Sequence, residues 1–214
     1  YIPDRYDEGY GVSKKGIDYA KEAGVKLIII LDCGIKAIDE IAYAKSLGID
    51  FIICDHHMPD DELPPAVAIL NPKRADDTYP FKHLCGCGVG FKFMQAFAKN
   101  NGIPFARLIP LLDLCAVSIA ADIVPVTDEN RILAFHGLKQ LNQNPSVGLK
   151  AIIDICGLNG REISMSDIIF KIGPLINASG RMENGKESVD LLVEKDFSLA
   201  LKAARHINEY NEQR

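Results

Sequence analysis

The sequence contains no tryptophan, no CxxC pair and no long apolar run. A membrane-spanning helix needs about 18 consecutive apolar residues, so none is predicted, and no signal-peptide pattern opens the chain. The net charge of −5 argues against a DNA-binding surface that is basic throughout. It leaves open a local basic groove, or a carboxylate cluster neutralised by a bound divalent metal.

The cysteines mostly adjoin apolar runs, at positions Cys33, Cys54, Cys85, Cys87, Cys115 and Cys156. The chain is long for a disulfide scaffold, so we expect reduced thiols in the core of a cytoplasmic protein. Zinc bound by Cys85 and Cys87 is the alternative, but no second ligand pair accompanies this CxC pair.

Hydrophobic residues make up 48% of the 214 residues, enough for the core of one large domain or two small ones. No repeat and no low-complexity linker divides the chain. Tyr1 is not a natural start, so we expect the chain to be a piece of a longer protein.

The first third of the chain has the pattern of a βαβ unit. Helices are predicted at Ser13–Gly24, with Ser13 as N-cap and Gly24 as the stop, and at Ile35–Gly48. The apolar runs KLIIILDCG and IDFIICD predict two buried strands, the first covered on both faces, and AVAILNP predicts a third that ends in a turn at Asn71-Pro72. Strands that alternate with helices predict a parallel sheet covered by helices.

After about Cys85 the pattern becomes helical. Helices are predicted for GVGFKFMQAFAKN, PFARLIPLLDLCAVSIAAD, ENRILAFHGLKQLNQ, SVGLKAIIDICG and FSLALKAARHINEYNEQR. The predicted architecture is therefore an α/β sheet with flanking helices, followed by a helical region.

Polar residues gather where the predicted strands end. Asp32 closes the first apolar run, Asp55 closes the second, and His56 and His57 follow directly. Ligands bind beyond the carboxyl ends of parallel strands, so these groups should share one rim of the sheet. Carboxylate and imidazole ligands without paired thiolates favour Mn²⁺ or Mg²⁺ over Zn²⁺. Successive side chains of an extended chain point opposite ways, so the histidines need not share a role. A turn capped by Asp55 with exposed histidines is the plainer alternative.

A third carboxylate is expected at Asp122, which ends an almost wholly apolar helix before Pro125. Asp113 lies nearby, but at about 100° per residue the two carboxylates fall on opposite helix faces. Only one can point at a given site, and Asp122 is favoured. The alternative is an aspartate exposed at a helix end.

These residues resemble a known family. The stretches LDCG, CDHHMP, LCGCGVGFKF and AADIVPVTDENR resemble motifs of the DHH phosphoesterases. Within that family the chain is most similar to the RecJ-type single-stranded-DNA-specific exonucleases, on the further stretches IPDRYDEGYG, GPLINASGRM and INEYNEQR. The match covers nearly the whole chain, in order.

The resemblance implies a DHH phosphoesterase fold and a two-metal phosphodiesterase, dependent on Mn²⁺ or Mg²⁺. Its substrate would be the 5′ end of single-stranded DNA, in DNA repair and recombination. Asp32, His56 and Asp122 resemble metal ligands, with Asp32 bridging two ions. His57 resembles the histidine that faces the scissile phosphate, and Asp55 resembles a carboxylate that orients a neighbouring histidine.

Further residues resemble phosphate-binding positions. Arg5 and Arg181 match family arginines that hold nucleic-acid phosphates; ordinary surface charges are the alternative. Gly86, Gly88 and Gly90 open a helix. These glycines either let backbone and helix N-terminus approach an anion, or only allow the helix to pack closely on the sheet.

The chain departs from the family in one respect. The family's Asp-x-Asp motif on an earlier strand supplies ligands for the second metal, and nothing before Asp32 matches it. The family's C-terminal lobe has no match either. We therefore expect at most one bound ion and little nuclease activity from these residues alone. The resemblance predicts a phosphoesterase core at 1–195 and the start of an interdomain connecting helix at 196–214. Single-stranded-DNA-binding protein and a helicase are the partners it suggests.

Two alternatives remain at this level. One is a DHH phosphatase that acts on short oligonucleotides or nucleotides, and the long helical region from Asn100 to Arg181 favours the exonuclease over it. The other is a scaffold that has lost its metals, and the retained set of candidate ligands argues against it.

Overall fold

The computed structural model describes residues 1–3, 8–179 and 185–212. In this range the chain forms a three-stranded parallel sheet in the order β1-β2-β3, together with ten α-helices and short 3₁₀ and π segments. All six cysteines are free. Among the described helices, none is both long enough and apolar enough to cross a membrane.

The α/β part holds the sheet and its three covering helices. Its strands are β1 (Leu27–Leu31), β2 (Asp50–Cys54) and β3 (Ala68–Leu70), and its helices are α1 (Lys14–Glu22), α2 (Ile38–Ser46) and α3 (Gly86–Asn100). The helical part follows, with α4 (Leu112–Ala121), α5 (Asp128–Gln143), α6 (Val147–Ile155), α7 (Met165–Asp167), α8 (Gly173–Ser179), α9 (Gly185–Val193) and α10 (Phe197–Glu212). The predicted fold class is confirmed.

Local signals explain the first helix. The Ser13 hydroxyl accepts a hydrogen bond from the Gly16 N–H at 2.9 Å, which caps the otherwise unsatisfied amino end of α1. Gly24 has a φ of 73° and turns the chain away from the helix. Gly48 has the same φ just after α2. The predicted caps and stops are therefore confirmed.

Strand β2 is buried, as predicted, and it is covered on both faces. Phe51 and Ile53 pack with α1 and α2, where Ile17 and Ile41 are also buried. Cys54 belongs to the core on the opposite face, with residues of α3. Because successive side chains of a strand alternate between faces, this one strand connects two hydrophobic cores.

The prediction that β1 is covered on both faces is wrong. Leu27, Ile29 and Leu31 are 46%, 48% and 55% exposed, whereas the alternate residues Ile28 and Ile30 pack against the α1/α2 core. The reason is topological, since β1 pairs only with β2 among the described strands and lies at an edge of the sheet. A run of apolar residues does not reveal which strand will be at an edge.

The predicted helix from Pro104 to Asp122 is also corrected. Two 3₁₀ turns, Phe105–Arg107 and Ile109–Leu111, precede the regular helix α4. Pro110 has no N–H to donate and disfavours an uninterrupted helix. Only the second half of the predicted helix is therefore α-helical.

The helical part has its own core. Helix α10 contributes the buried residues Ala200, Ala204 and Ile207 and packs against α6, α8 and α9. Two glycines allow close helix contacts: a methyl group on Gly137 would lie 2.2 Å from the Leu112 carbonyl oxygen, and one on Gly148 would lie 2.2 Å from that of Leu191. These contacts hold α4 against α5, and α6 against α9.

Candidate metal site

The candidate site lies at the carboxyl edge of the sheet. Asp32 follows β1 and Asp55 follows β2, and in both cases the backbone ladder continues into the aspartate. The Asp32 N–H donates to the Cys54 carbonyl at 2.8 Å, and the Asp55 N–H donates to the Leu70 carbonyl at 3.0 Å. Because the strands are parallel, both carboxylates leave the sheet at the same rim.

Asp32 is held in an uncommon backbone conformation. Its φ is 63°, in the left-handed region that aspartate tolerates better than most residues. Gly86, the first residue of α3, lies directly against it: a methyl group there would be 2.1 Å from Asp32 Oδ1. Only glycine at position 86 leaves room for this carboxylate, so the backbone of α3 forms one wall of the site.

The His56 ring is nearly buried, with 9% of the residue exposed, and its orientation is fixed. Nδ1 lies 3.0 Å from the Leu84 carbonyl oxygen, which can only accept, so Nδ1 carries the proton. In the neutral ring Nε2 is then an acceptor, and it lies 3.1 Å from Asp32 Oδ1. That oxygen is buried and has no aligned hydrogen-bond donor. Two acceptors face each other across a gap that a proton or a cation must fill.

The electrostatics agree with this geometry. The contact with Asp32 raises the pKa of His56, against the opposing effect of burial. The negative charge of Asp122 acts in the same direction, whereas the positive charge of Lys73 opposes it. In the absence of a cation, the site therefore favours a proton on His56 more than water does.

Asp55 is buried, with 1% exposed, and accepts four hydrogen bonds. Oδ2 accepts from the Ile35 N–H at 3.0 Å, and Oδ1 accepts from the N–H groups of His56 and His57 at 2.7 and 3.1 Å. Oδ1 also lies 2.7 Å from His57 Nδ1. Burial alone would raise the pKa of Asp55, but the bonds from the His57 ring and the three backbone groups lower it overall. Asp55 is therefore a charged anchor for the loop that carries both histidines.

His57 differs from its neighbour in exposure. Its side chain is 48% exposed, and because Asp55 engages Nδ1, Nε2 is the free ring nitrogen. The two histidine rings contact each other edge-on, with centroids 4.7 Å apart. They do not point to opposite sides, because β2 ends at Cys54 and the alternation of an extended strand ends with it.

Three residues form a candidate cation site. Asp32, His56 and His57 each offer a ligand atom, and these atoms lie within 4.8 Å of one another. One carboxylate and two imidazoles suit Mn²⁺ and other divalent ions. The orphaned Asp32 oxygen and the opposed acceptors fit such an ion. This is the one such cluster of His, Cys, Asp and Glu side chains within residues 1–3, 8–179 and 185–212.

Asp122 borders this cluster without belonging to it. It caps the carboxyl end of α4, is exposed to solvent, and accepts a hydrogen bond from the Ser118 hydroxyl at 3.3 Å. Partial desolvation and the charge of Asp32 raise its pKa, and the charge of His56 opposes this. Asp113, by contrast, is fully buried and accepts from the Ser146 N–H at 2.8 Å. The two aspartates therefore face different surroundings, and Asp122 is the one directed towards the rim.

The amino end of α3 faces the site. The Cys85 thiol caps it by accepting from the Gly88 N–H at 3.2 Å. Gly90 lies against the sheet instead, where a methyl group would be 3.0 Å from Leu31 Cδ2. The predicted close approach of the backbone to the site thus applies to Gly86, and the predicted close packing of the helix on the sheet applies to Gly90. Phosphate binding by Gly86 and Gly88 stays a prediction.

The alternative zinc site lacks support. Burial raises the pKa of the Cys85 thiol to about 12, and its sulfur accepts a hydrogen bond from the Gly88 N–H. Cys87 Sγ lies 3.8 Å from Cys115 Sγ, and neither thiol joins a three-ligand cluster among the described side chains. These cysteines act as caps and core residues.

Two of the predicted site residues, Arg5 and Arg181, lie outside the described residues. Two buried amides were not predicted. Asn71 donates to the His57 carbonyl, and buried Asn130 donates to the carbonyls of His83 and Pro125. The position of Asn71 directly after β3 was a usable signal, because Asp32 and Asp55 follow their strands in the same way. Asn130 had none, since its partner His83 is 47 residues away.

Asp32, His56 and His57 thus form a cluster of candidate cation ligands at the carboxyl rim of a parallel sheet. Comparison with known proteins shows the family to which the chain belongs. The sequence profile of the DHH family, N-terminal domain, matches residues 1–119. The chain belongs to the DHH family.

The chain is similar to curated and solved proteins that are named RecJ. The Bacillus subtilis single-stranded-DNA-specific exonuclease RecJ is 42% identical over 214 residues, which is 100% of this chain and 26% of the relative. A crystal structure of exonuclease RecJ bound to manganese matches with a TM-score of 0.87 at 30% identity, over 100% of this chain and 53% of that chain. RecJ from Thermus thermophilus in complex with Mn²⁺ matches with a TM-score of 0.82 at 27% identity, over 94% of this chain and 30% of that chain. The chain thus spans about a quarter of the length of the Bacillus subtilis relative.

Proposed function

We propose that this chain is the cation-binding core of a RecJ-like exonuclease that removes nucleotides from the 5′ ends of single-stranded DNA. The observation that carries the proposal is the pair of opposed acceptors, Asp32 Oδ1 and His56 Nε2, 3.1 Å apart. A structural pair would place a donor opposite the carboxylate. Here the Leu84 carbonyl holds the proton of the neutral ring at Nδ1, so the remaining nitrogen is available to a metal.

Asp32, His56 and His57 would hold the ion, with Asp122 close enough to contribute charge. Mn²⁺ or Mg²⁺ bound there would polarise a phosphodiester oxygen and lower the pKa of a coordinated water. The chain's own residues prepare this position. The Leu84 carbonyl and the Asp55 carboxylate each fix one histidine nitrogen, so that the other nitrogen of each ring is free.

His57 has an alternative task in this proposal. Its side chain is 48% exposed, and the contact of Asp55 with Nδ1 fixes its orientation. In place of binding the ion, a protonated Nε2 would donate a hydrogen bond to a phosphoryl oxygen, where negative charge develops in phosphodiester hydrolysis; the same nitrogen cannot do both at once. In either task the role of Asp55 is to orient His57, without contacting the substrate.

The expected incompleteness of the site is part of the proposal. The family's Asp-x-Asp motif has no counterpart before Asp32 in the printed sequence. We therefore expect these 214 residues to bind at most one ion and to have little nuclease activity alone. The same proposal includes a two-ion mechanism and phosphate contacts by Arg5 and Arg181. It also includes a role in DNA repair and recombination, a cytoplasmic location, and a connecting helix that begins at 196. Single-stranded-DNA-binding protein and a helicase are the protein partners it includes.

Calorimetry tests the cation site. Mn²⁺ is titrated into the metal-free chain and into Asp32→Asn, with Asp50→Asn as the matched control. Asp50 is the first residue of β2 and lies at the opposite end of the same sheet. We expect binding by the wild type and by Asp50→Asn, and strongly weakened binding by Asp32→Asn. Equal binding by all three proteins would refute the site.

Labelled DNA tests the substrate. The test uses a longer protein that contains these 214 residues and corresponds to the full length of the relatives. It is incubated with Mn²⁺ and long single strands of DNA that are labelled at the 5′ or the 3′ end. We expect release of the 5′ label first, and little digestion of duplex DNA. Hydrolysis of dinucleotides alone, with long strands untouched, would favour the phosphatase alternative.

A further inference from the structure

Asn71 ends the third strand in the same way that Asp32 and Asp55 end the other two. It follows β3 directly, is 1% exposed, and therefore has to satisfy its amide within the protein. Nδ2 donates to the His57 carbonyl oxygen at 2.8 Å, and Oδ1 accepts from the Lys73 N–H at 2.9 Å. One amide thus joins the loop of the two histidines to the segment after β3.

His57 is held at both ends of its own backbone. On the amino side, the Asp55 carboxylate accepts from its N–H at 3.1 Å. On the carboxyl side, Asn71 donates to its carbonyl at 2.8 Å. Its side chain is 48% exposed, so packing contributes little to its orientation. These hydrogen bonds must therefore orient His57, whereas burial in the core helps to orient His56.

The chemistry of the amide explains why asparagine suits this position. One bond requires a donor and the other an acceptor, and the two amide atoms supply both. An aspartate would present a second acceptor to the His57 carbonyl, near the negative charges of Asp32 and Asp55. An aliphatic residue would leave a carbonyl and an N–H unsatisfied.

We propose that Asn71 is a positioning residue of the cation site, which holds the His57 backbone so that its free ring nitrogen stays beside Asp32 and His56. The inference rests on the proposed function only in naming a cation as the ligand. Asn71 itself contacts neither metal nor substrate. Its contribution is to the orientation of a ligand that has little packing of its own.

The experiment compares two asparagines. Asn142, on α5, makes the same kinds of bond: Nδ2 donates to the Ile163 carbonyl at 3.0 Å and Oδ1 accepts from the Ile163 N–H at 2.7 Å. It belongs to the helical part, far along the chain from the candidate ligands. Asn71→Ala and Asn142→Ala are titrated with Mn²⁺ by calorimetry, and their unfolding is followed in parallel.

We expect both variants to lose stability and only Asn71→Ala to lose Mn²⁺ affinity, by about tenfold or more, as for other partners of metal ligands. Asn71→Asp keeps the acceptor for Lys73 and replaces the donor to His57 with a charged acceptor that repels the His57 carbonyl, so it should show the same loss even if the alanine variant folds poorly. Wild-type affinity in Asn71→Asp, or an equal loss in Asn142→Ala, would overturn the inference.

A second measurement separates this inference from the proposed function. Nitrogen-detected spectra of the His57 ring in metal-free protein report whether one ring tautomer is held. We expect a single well-defined state in the wild type and in Asn142→Ala, and averaging in Asn71→Asp. If the wild type binds no Mn²⁺, the cation site fails, yet the ring spectra still decide on Asn71: unchanged signals in Asn71→Asp would exclude a positioning role.

Discussion

In the α/β part Gly86 lies against a side chain, that of Asp32, whereas in the helical part Gly137 and Gly148 lie against backbone carbonyls of neighbouring helices. All three glycines leave room for a close approach. In the helical part the approach joins two helices and adds to stability. At the sheet rim it brings the backbone of α3 to a carboxylate that the fold leaves without a donor.

The carboxylates of the two parts differ in the same way, although the Asp32 side chain is 43% exposed and only its Oδ1 is buried. In the helical part, Asp113 accepts from the N–H groups of Leu114 and Ser146, and Asp167 completes a capping box with Ser164. At the rim, Asp32 Oδ1 faces a second acceptor. Asn130 Oδ1 and Ser146 Oγ are also buried without partners, but they are neutral groups and cost less to bury than a charge. The two satisfied carboxylates therefore hold the helical part together, whereas Asp32 Oδ1 is left to a proton on His56 or to a cation.

The largest expected effect tests the helical part. Gly137→Ala should destabilise the protein by about 3 kcal/mol, the upper end for overpacked sites, because the added methyl meets the Leu112 carbonyl and helices cannot yield as a side chain can. Urea unfolding measures it. We expect the residual folded protein to bind Mn²⁺ normally. An unfolding free energy unchanged from wild type would show that α4 and α5 separate at little cost.

Asp55→Asn should have the second largest effect and lower the free energy of unfolding by about 2 kcal/mol. The reason is that an amide cannot accept the four hydrogen bonds that the carboxylate accepts. The folded pKa of Asp55 lies below its ordinary value of 3.8. Its contribution is therefore present above pH 3.8 and is lost as the pH falls through the lower folded pKa. Unfolding of both proteins between pH 3 and pH 7 tests this, and a wild-type advantage that grows towards acid pH would contradict it.

Gly86→Ala should weaken binding and also destabilise the protein. The added methyl would lie 2.1 Å from Asp32 Oδ1 and 2.5 Å from Asp32 Cβ, so rotation of the carboxylate cannot relieve the clash, and we expect a loss of about tenfold in Mn²⁺ affinity. Gly90→Ala is the matched control, one turn further along α3, where the nearest atom is the end of the Leu31 side chain at 3.0 Å. A control that binds as weakly as Gly86→Ala would remove the contrast between the two kinds of glycine.

The smallest effect concerns pH and His56. Its pKa is raised above the ordinary 6.5 in the metal-free protein. The His56–Asp32 contact should therefore stabilise the metal-free protein below pH 6.5 and lose this contribution as the pH rises through the raised pKa. Mn²⁺ binding should change the opposite way, because the ion needs the deprotonated ring. Unfolding in EDTA and calorimetry from pH 5.5 to 8.5 test both trends. His56→Gln should lose the trend in stability and show a weaker trend in binding, because His57 remains as a ligand.

Local sequence patterns predicted the helices and strands themselves better than they predicted what packs around each of them. The caps Ser13 and Gly24 and the apolar core of β2 are properties of neighbouring residues, and each is confirmed. The exposure of β1 depends on strand order, which no local run contains. The rim position of Asp32 and Asp55 followed from the βαβ pattern. The Leu84 carbonyl contacts His56 across 28 residues, so only the fold brings it to the site.

The free side of β1 has a practical consequence. Its backbone N–H and C=O groups have no strand partner among the described residues, and its exposed leucine and isoleucine side chains form an apolar row. Such an edge is a template on which another chain can add a strand. Concentrated preparations of these 214 residues should therefore self-associate, and Ile29→Lys should keep them dispersed in light scattering while the rim and its histidines are left untouched.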